Sequence, residues 1–90
     1  MNTILVIGAT GMLGQAVTRQ LKKDKYDVRV FTRSREKAVQ IFNDEFDYYI
    51  GDVLDPDSLD KPLGNVYGIY INLSGDALVE GVRNIVSKAK

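Results

Sequence analysis

Three glycines, Gly8, Gly11 and Gly14, stand at three-residue spacing directly behind the apolar run Ile4-Leu5-Val6-Ile7. That order suits the binding of a diphosphate. A buried strand delivers the chain to a tight turn at Gly8, and Gly11 lets bare backbone approach the anion. A helix opening behind the turn aims its free N–H groups at the negative charge. Met12 and Leu13 are the natural N–H donors, with the Thr10 hydroxyl beside them. Gly14 has two readings, close packing of the helix on the sheet or proximity to the ligand.

A second group of residues bears on what carries the diphosphate. Dinucleotide sites that take NAD place a carboxylate about twenty positions on, where it accepts hydrogen bonds from the adenosine ribose. Here the window Val28-Arg29-Val30-Phe31-Thr32-Arg33-Ser34-Arg35 holds no carboxylate. It ends in Arg33 and Ser34, where a guanidinium can grip a 2′-phosphate through paired charge-assisted hydrogen bonds. Arg35 either joins that contact or is a solvated loop charge. NADP is therefore expected ahead of NAD. Asp52 either accepts from the exocyclic amine of adenine or serves only its own turn. Capping and solvation account for Asp55, Asp57 and Asp60 better than a metal does, so no metal is expected.

These residues need elements to position them, and the hydropathy pattern supplies a regular series. Ile4–Ile7 reads as a strand. Leu13, Ala16, Val17, Gln20 and Leu21 keep helical spacing after it. Val28–Phe31 is a second strand, and Ser34 caps a helix over Arg35–Phe42. Phe46–Ile50 is a third strand. Asp55-Pro56 opens a further helix, with a capping carboxylate ahead of proline. Val66–Leu73 is a fourth strand, and from Asp76 onward Leu78, Val82, Ile85, Val86 and Ala89 mark one face of a last helix. The series βαβαβαβα predicts an α/β fold, a doubly wound parallel sheet of the Rossmann type with strand order 3-2-1-4. The ligand then lies across the C-terminal ends of the strands. Leu73 and Ser74, at the end of strand 4, are expected to lie close to it. The sequon Asn72-Leu73-Ser74 reads as a chance match on a buried strand.

Composition narrows the possibilities. The 90 residues make one domain, 1–90. Twelve basic side chains balance twelve acidic ones, so no nucleic-acid partner is expected. With no cysteine and no histidine, thiol nucleophiles, disulfides, Ser-His-Asp relays and the usual zinc ligands are excluded. No apolar stretch reaches membrane-spanning length and no signal-peptide pattern opens the chain. A cytoplasmic protein is expected.

Together these residues resemble the short-chain dehydrogenase/reductase superfamily, in its extended and atypical, NmrA-like branch. Gly8-Ala9-Thr10-Gly11-Met12-Leu13-Gly14 is similar to the GATGxxG fingerprint, and Thr32-Arg33-Ser34 resembles the strand-2 end of NADP-binding members. Gly51-Asp52-Val53-Leu54-Asp55-Pro56-Asp57-Ser58-Leu59 resembles a segment whose first aspartate lies near adenine, which implies Asp52 and Val53 as cofactor contacts. Asn72-Leu73-Ser74-Gly75 is similar to the asparagine-alanine-glycine segment after strand 4, with Leu73 and Ser74 departing from it. Lys25-Tyr26 stands where the family often has glycine, implying a left-handed non-glycine residue at the first helix exit.

The family's catalytic serine and tyrosine-x-x-x-lysine pair belong to later elements. None of Tyr26, Tyr48, Tyr49, Tyr67 and Tyr70 has lysine four residues on, so no catalytic residue carries over. The resemblance implies a truncated, NADP-binding half of an oxidoreductase or epimerase, taking a small-molecule substrate only with its missing C-terminal half. Two alternatives remain open at this point, a non-catalytic dinucleotide-binding redox sensor and a shortened half-domain of interest only for folding. An apolar strand 4 without a fifth strand beside it would be an open edge, so self-association there is expected.

Overall fold

Apolar residues on every strand, interrupted by helical patterns, place both faces of the sheet under cover. The computed structural model describes residues 2–73 and 77–89. In chain order the elements are β1 (Thr3–Ile7), α1 (Met12–Lys23), β2 (Asp27–Thr32), α2 (Arg35–Phe42), β3 (Asp47–Ile50), β4 (Gly68–Ile71) and α3 (Ala77–Ala89). The strands are all parallel, in the order β3-β2-β1-β4. Ile7 pairs with Phe31 on one side and Ile71 on the other, which aligns the strand ends that must hold a ligand.

Alternation along β1 splits the core into two layers. Val6 joins Val28, Val30 and Phe42 on the face covered by α1 and α2. Leu5 and Ile7 join Phe31, Leu59, Leu63 and Ile85 on the face covered by α3 and the β3–β4 connection. The sheet is therefore doubly wound. Among the described residues, no helix is long and apolar enough to cross a membrane.

Three local expectations are corrected. The helix expected after Asp55 is a single 3-10 turn, Pro56–Leu59. Pro62 follows closely, and a ring there would remove the hydrogen bond that continues an α-helix. The Asp55 carboxylate makes no cap; instead the Ser58 hydroxyl donates to the Asp55 carbonyl at 2.8 Å. Asp57 and Asp60 meet Lys88 Nζ at 3.4 and 3.1 Å, tying α3 to this turn. β4 is also shorter than the apolar run Val66–Leu73 suggests.

The buried faces of α1 and α3 differ from the hydropathy stripes as well. In α1 the structure buries Gly14 and Thr18, while Leu13 is 61% exposed and Ala16 and Gln20 lie outside. Gly14 allows so close an approach that the helix rolls onto it, and the Thr18 hydroxyl donates to the Gly14 carbonyl at 2.6 Å. In α3, Gly81 and Ile85 are buried, while Leu78, Val79 and Val86 are exposed. A Cβ on Gly81 would stand 2.9 Å from both Leu73 and Val53, so this helix too rests on a glycine. At the exit of α1, Lys25 takes φ +71°. Its N–H donates to the Lys22 carbonyl at 2.9 Å, and Tyr26 N–H to that of Leu21 at 3.0 Å, closing the helix end without glycine.

Candidate dinucleotide-binding cleft

The C-terminal ends of β1, β2 and β4, with the loop behind β3, enclose a cleft of about 760 Å³. Its floor is the glycine turn, and each glycine there answers to a different constraint. Gly8 has φ +87°, and a Cβ on it would stand 2.0 Å from the Asn72 carbonyl oxygen. Gly14 is closed by the turn itself, its missing Cβ lying 2.1 Å from the Gly8 carbonyl oxygen. Gly11 is otherwise. Its φ of −69° suits any residue, and its nearest neighbour would be the Asn72 amide nitrogen, at 3.2 Å. Gly8 and Gly11 line the cleft and Gly14 does not. The contact at Gly14 is one of close packing against the turn.

α1 begins at this turn without a side-chain cap and with no acid in its first turn. The first bond of its ladder runs from Gln15 N–H to the Gly11 carbonyl, 2.8 Å. The N–H groups of Met12, Leu13 and Gly14 precede it, as at any uncapped helix start. Met12 and Leu13 keep their side chains out of the cleft, and Met12 is 90% exposed. Only their backbone can serve an anion. Thr10 lines the wall, while its carbonyl accepts from Gln15 Nε2 at 2.9 Å.

The end of β2 is held by two hydroxyls. Thr32 Oγ1 accepts from Ser34 N–H at 3.1 Å, and Ser34 Oγ accepts from Lys37 N–H at 3.2 Å. The second of these bonds is the N-cap of α2. It stabilises the helix by about 1 kcal/mol. With the backbone so fixed, Arg33, Ser34 and Lys37 all line the cleft. Among the described residues no carboxylate pairs with Arg33 or Lys37. Arg35 is turned away, its guanidinium 5.7 Å from the Tyr48 ring centre. Lys37 was not anticipated from the sequence. The signal was present, since a residue three beyond an N-cap lies on the first turn, one helical turn from Arg33.

The far wall comes from the β3–β4 connection and the end of β4. Asp52 and Val53 line it, as do Asn72 and Leu73. Asp52 Oδ1 accepts from Leu54 N–H at 2.9 Å, so this carboxylate serves its own turn while facing the cleft. Val53 is buried, and Asn84 Nδ2 of α3 donates to its carbonyl at 2.8 Å. That bond pins the wall to a helix and was not legible in the sequence. Asn72 N–H donates to the Ile7 carbonyl at 2.8 Å, extending β4 pairing to the turn. Ser74, expected beside Leu73, lies outside the described residues.

Comparison with known proteins agrees with this geometry. The model of the NmrA-like family matches residues 1–90. A UDP-glucose 4-epimerase of Rickettsia bellii is 36% identical over 77 residues, which is 76% of this chain and 23% of the epimerase. The aligned stretches span only 12–23% of the length of these curated relatives. A Rossmann-fold NAD(P)-binding family protein from Shigella flexneri superimposes with a TM-score of 0.85 at 25% identity, over 98% of this chain and 45% of that one. Gre2 of Candida albicans does so with a TM-score of 0.80 at 27% identity, over 98% and 32%. A glycine turn at the switch point of a 3-2-1-4 sheet, and a family model that matches residues 1–90, lead to one conclusion: the chain belongs to the NmrA-like family and has its NAD(P)-binding Rossmann fold.

Proposed function

We propose that the cleft binds NADP(H) in preference to NAD(H), and that the chain is the cofactor module of a reductase or epimerase. The observation that carries the preference is the pairing of Arg33 with Lys37 at the end of β2, two cations facing one cleft with no carboxylate partner among the described residues. A 2′-phosphate satisfies both, whereas a bare ribose hydroxyl satisfies neither. Ser34 lies between them and keeps its hydroxyl proton free to donate.

The remaining contacts follow from the same placement. Gly11 admits the pyrophosphate to the backbone, the N–H groups of Met12 and Leu13 receive it, and Thr10 flanks it. Gly8 and Gly14 hold the turn in shape. Asp52 and Val53 stand at the adenine, with Leu73 toward the nicotinamide. The cofactor supplies a hydride when bound; the residues of this chain bind and orient it. Substrate and proton donor come from elsewhere in the assembled protein, since no tyrosine here has the lysine spacing of a proton-donating pair.

Titration calorimetry with both cofactors tests this. NADP is expected to bind more tightly than NAD. Arg33→Ala should cost NADP about 1.5–3 kcal/mol, roughly 10- to 150-fold, and leave NAD unchanged. Equal losses for the two cofactors would remove Arg33 from the 2′-phosphate.

A further inference from the structure

α3 meets the far wall of the cleft along one face. The missing Cβ of Gly81 would stand 2.9 Å from Val53 Cγ2, so the helix rests directly on that side chain. Asn84 follows three residues on, where a helix brings side chains onto the same flank. Its Nδ2 donates to the Val53 carbonyl at 2.8 Å. One turn further, Lys88 Nζ reaches Asp57 and Asp60. The lysine ties the helix to the 3-10 turn, whereas the asparagine reaches the wall itself.

The Val53 carbonyl belongs to the same peptide unit as the Leu54 N–H, and that N–H donates to Asp52 Oδ1 at 2.9 Å. The unit is thus bonded at both ends, to an amide of α3 on one side and to a carboxylate of the cleft wall on the other. A peptide plane is rigid, so fixing its carbonyl fixes where its N–H points. Accepting a hydrogen bond at the carbonyl also polarises the peptide and strengthens its N–H as a donor. The Asp52 main chain has its own anchor, its N–H donating to Ser58 Oγ at 3.1 Å. Through the peptide, Asn84 fixes the side chain as well. Asp52 lines the cleft, and its Oδ2 has no hydrogen bond or ion pair among the described residues.

We propose that Asn84 is a positioning residue for base recognition. Acting through the Val53–Leu54 peptide, it holds the Asp52 carboxylate with Oδ2 toward the exocyclic amine of adenine. The inference rests on the reading that Asp52 stands at the adenine of a bound dinucleotide. Asn84 itself does not line the cleft. Its part is to keep one oxygen of a half-buried carboxylate engaged, so that the other meets the base in one orientation.

Calorimetric titration of two ligands tests the proposal: NADP, and its hypoxanthine analogue, which has a carbonyl where adenine has the amine. The parent should prefer NADP about tenfold or more, since two facing acceptors replace a charge-assisted hydrogen bond. Asn84→Ala should bring that ratio close to one, by weakening NADP and sparing the analogue. Lys88→Met loosens the same helix without touching the peptide, and should keep the parental ratio. Circular dichroism establishes that each variant folds. Should Asn84→Ala unfold, Asn84→Asp, of the same shape and without the donor, takes its place; unfolding of both would overturn the proposal, since the residue then serves the fold. A parent with no preference between the ligands would remove Asp52 from the adenine and this inference with it. A preference that survives Asn84→Ala, or that Lys88→Met abolishes equally, would overturn the inference alone.

Discussion

Two turns form the cleft, and they are built on opposite terms. The β1–α1 turn is determined by contact: Gly8 lies against the Asn72 carbonyl and Gly14 against the Gly8 carbonyl, with no room for a Cβ at either. The β2–α2 turn is determined by hydrogen bonds from Thr32 and Ser34, and its longest side chains, Arg33 and Lys37, are exposed. A residue fixed by contact answers to the fold, whereas an exposed cation is free to meet solvent or a ligand. Gly11 stands between these cases. It belongs to the first turn by position and to the second by its freedom, since the space beside it is open to the cleft.

The largest effect should come from the closed turn. Gly14→Ala places a methyl group 2.1 Å from backbone oxygen. Backbone cannot yield as a side-chain tip can, so a loss of about 4 kcal/mol or more is expected. Against a total of about 5–15 kcal/mol for a domain, that leaves little or no folded protein. Gly8→Ala should behave alike, through both its contact and its φ of +87°. Thermal denaturation near the parental midpoint for either variant would dissolve the distinction between the turns.

Gly11→Val comes next and separates fold from binding. Its φ of −69° and ψ of 162° are open to valine, and only the Asn72 amide must give way. A stability cost of about 1 kcal/mol is expected, with dinucleotide binding abolished because the branched side chain fills the space for the pyrophosphate. A folded Gly11→Val protein that keeps its affinity would place the anion elsewhere.

At the open turn, stability should barely move. Arg33→Ala and Lys37→Ala are each expected within about 0.5 kcal/mol of the parent in denaturant titrations. In calorimetry each weakens NADP and spares NAD. On the proposal that both cations hold one phosphate, the double variant should lose less than the two single losses combined. Additive losses would mean that they hold separate groups.

The smallest effect lies away from both turns, where Lys88 joins α3 to the 3-10 turn behind the far wall. Its hydrogen bond to Asp60 raises the ammonium above its ordinary pKa, with Asp57 adding in the same direction. The stabilisation is complete below about pH 10.5 and is lost as pH rises through the raised, folded value. Burial, with Asp44 nearby, also raises the Tyr48 phenol, and its contribution fades in the same direction. Lys88→Met should remove the lysine part of this alkaline loss. An unchanged alkaline profile would show that the bridge contributes nothing to folding.

Much of this molecule is written locally in its sequence. The strands, their order, the glycine turn and the acid-free end of β2 follow from apolar runs, glycine spacing and the sign of nearby side chains. The left-handed Lys25 follows from a helix that must stop with no glycine at hand. The strands and turns depend on neighbours a few residues apart, where propensity and pattern act directly, and the strand order follows from the strand-helix alternation.

Other features were settled only when distant segments met. Hydropathy alone turns Leu13 and Ala16 of α1 inward, yet Gly14 and Thr18 are buried, because the closest approach between helix and sheet runs through a missing side chain. The same reason turns α3 onto Gly81. Arg35 stood open between a phosphate contact and a solvated charge, and Tyr48, on another strand, draws it away from the cleft. Lys37 entered through the Ser34 cap, and Asn84 fastened Val53 from 31 positions away. Sequence by itself determined that a strand, a glycine turn and a helix would present backbone to an anion. The tertiary structure decided which side chains would face the cleft, because steric fit between elements, and not the polarity of any one of them, sets how each helix is rolled and where each cation points.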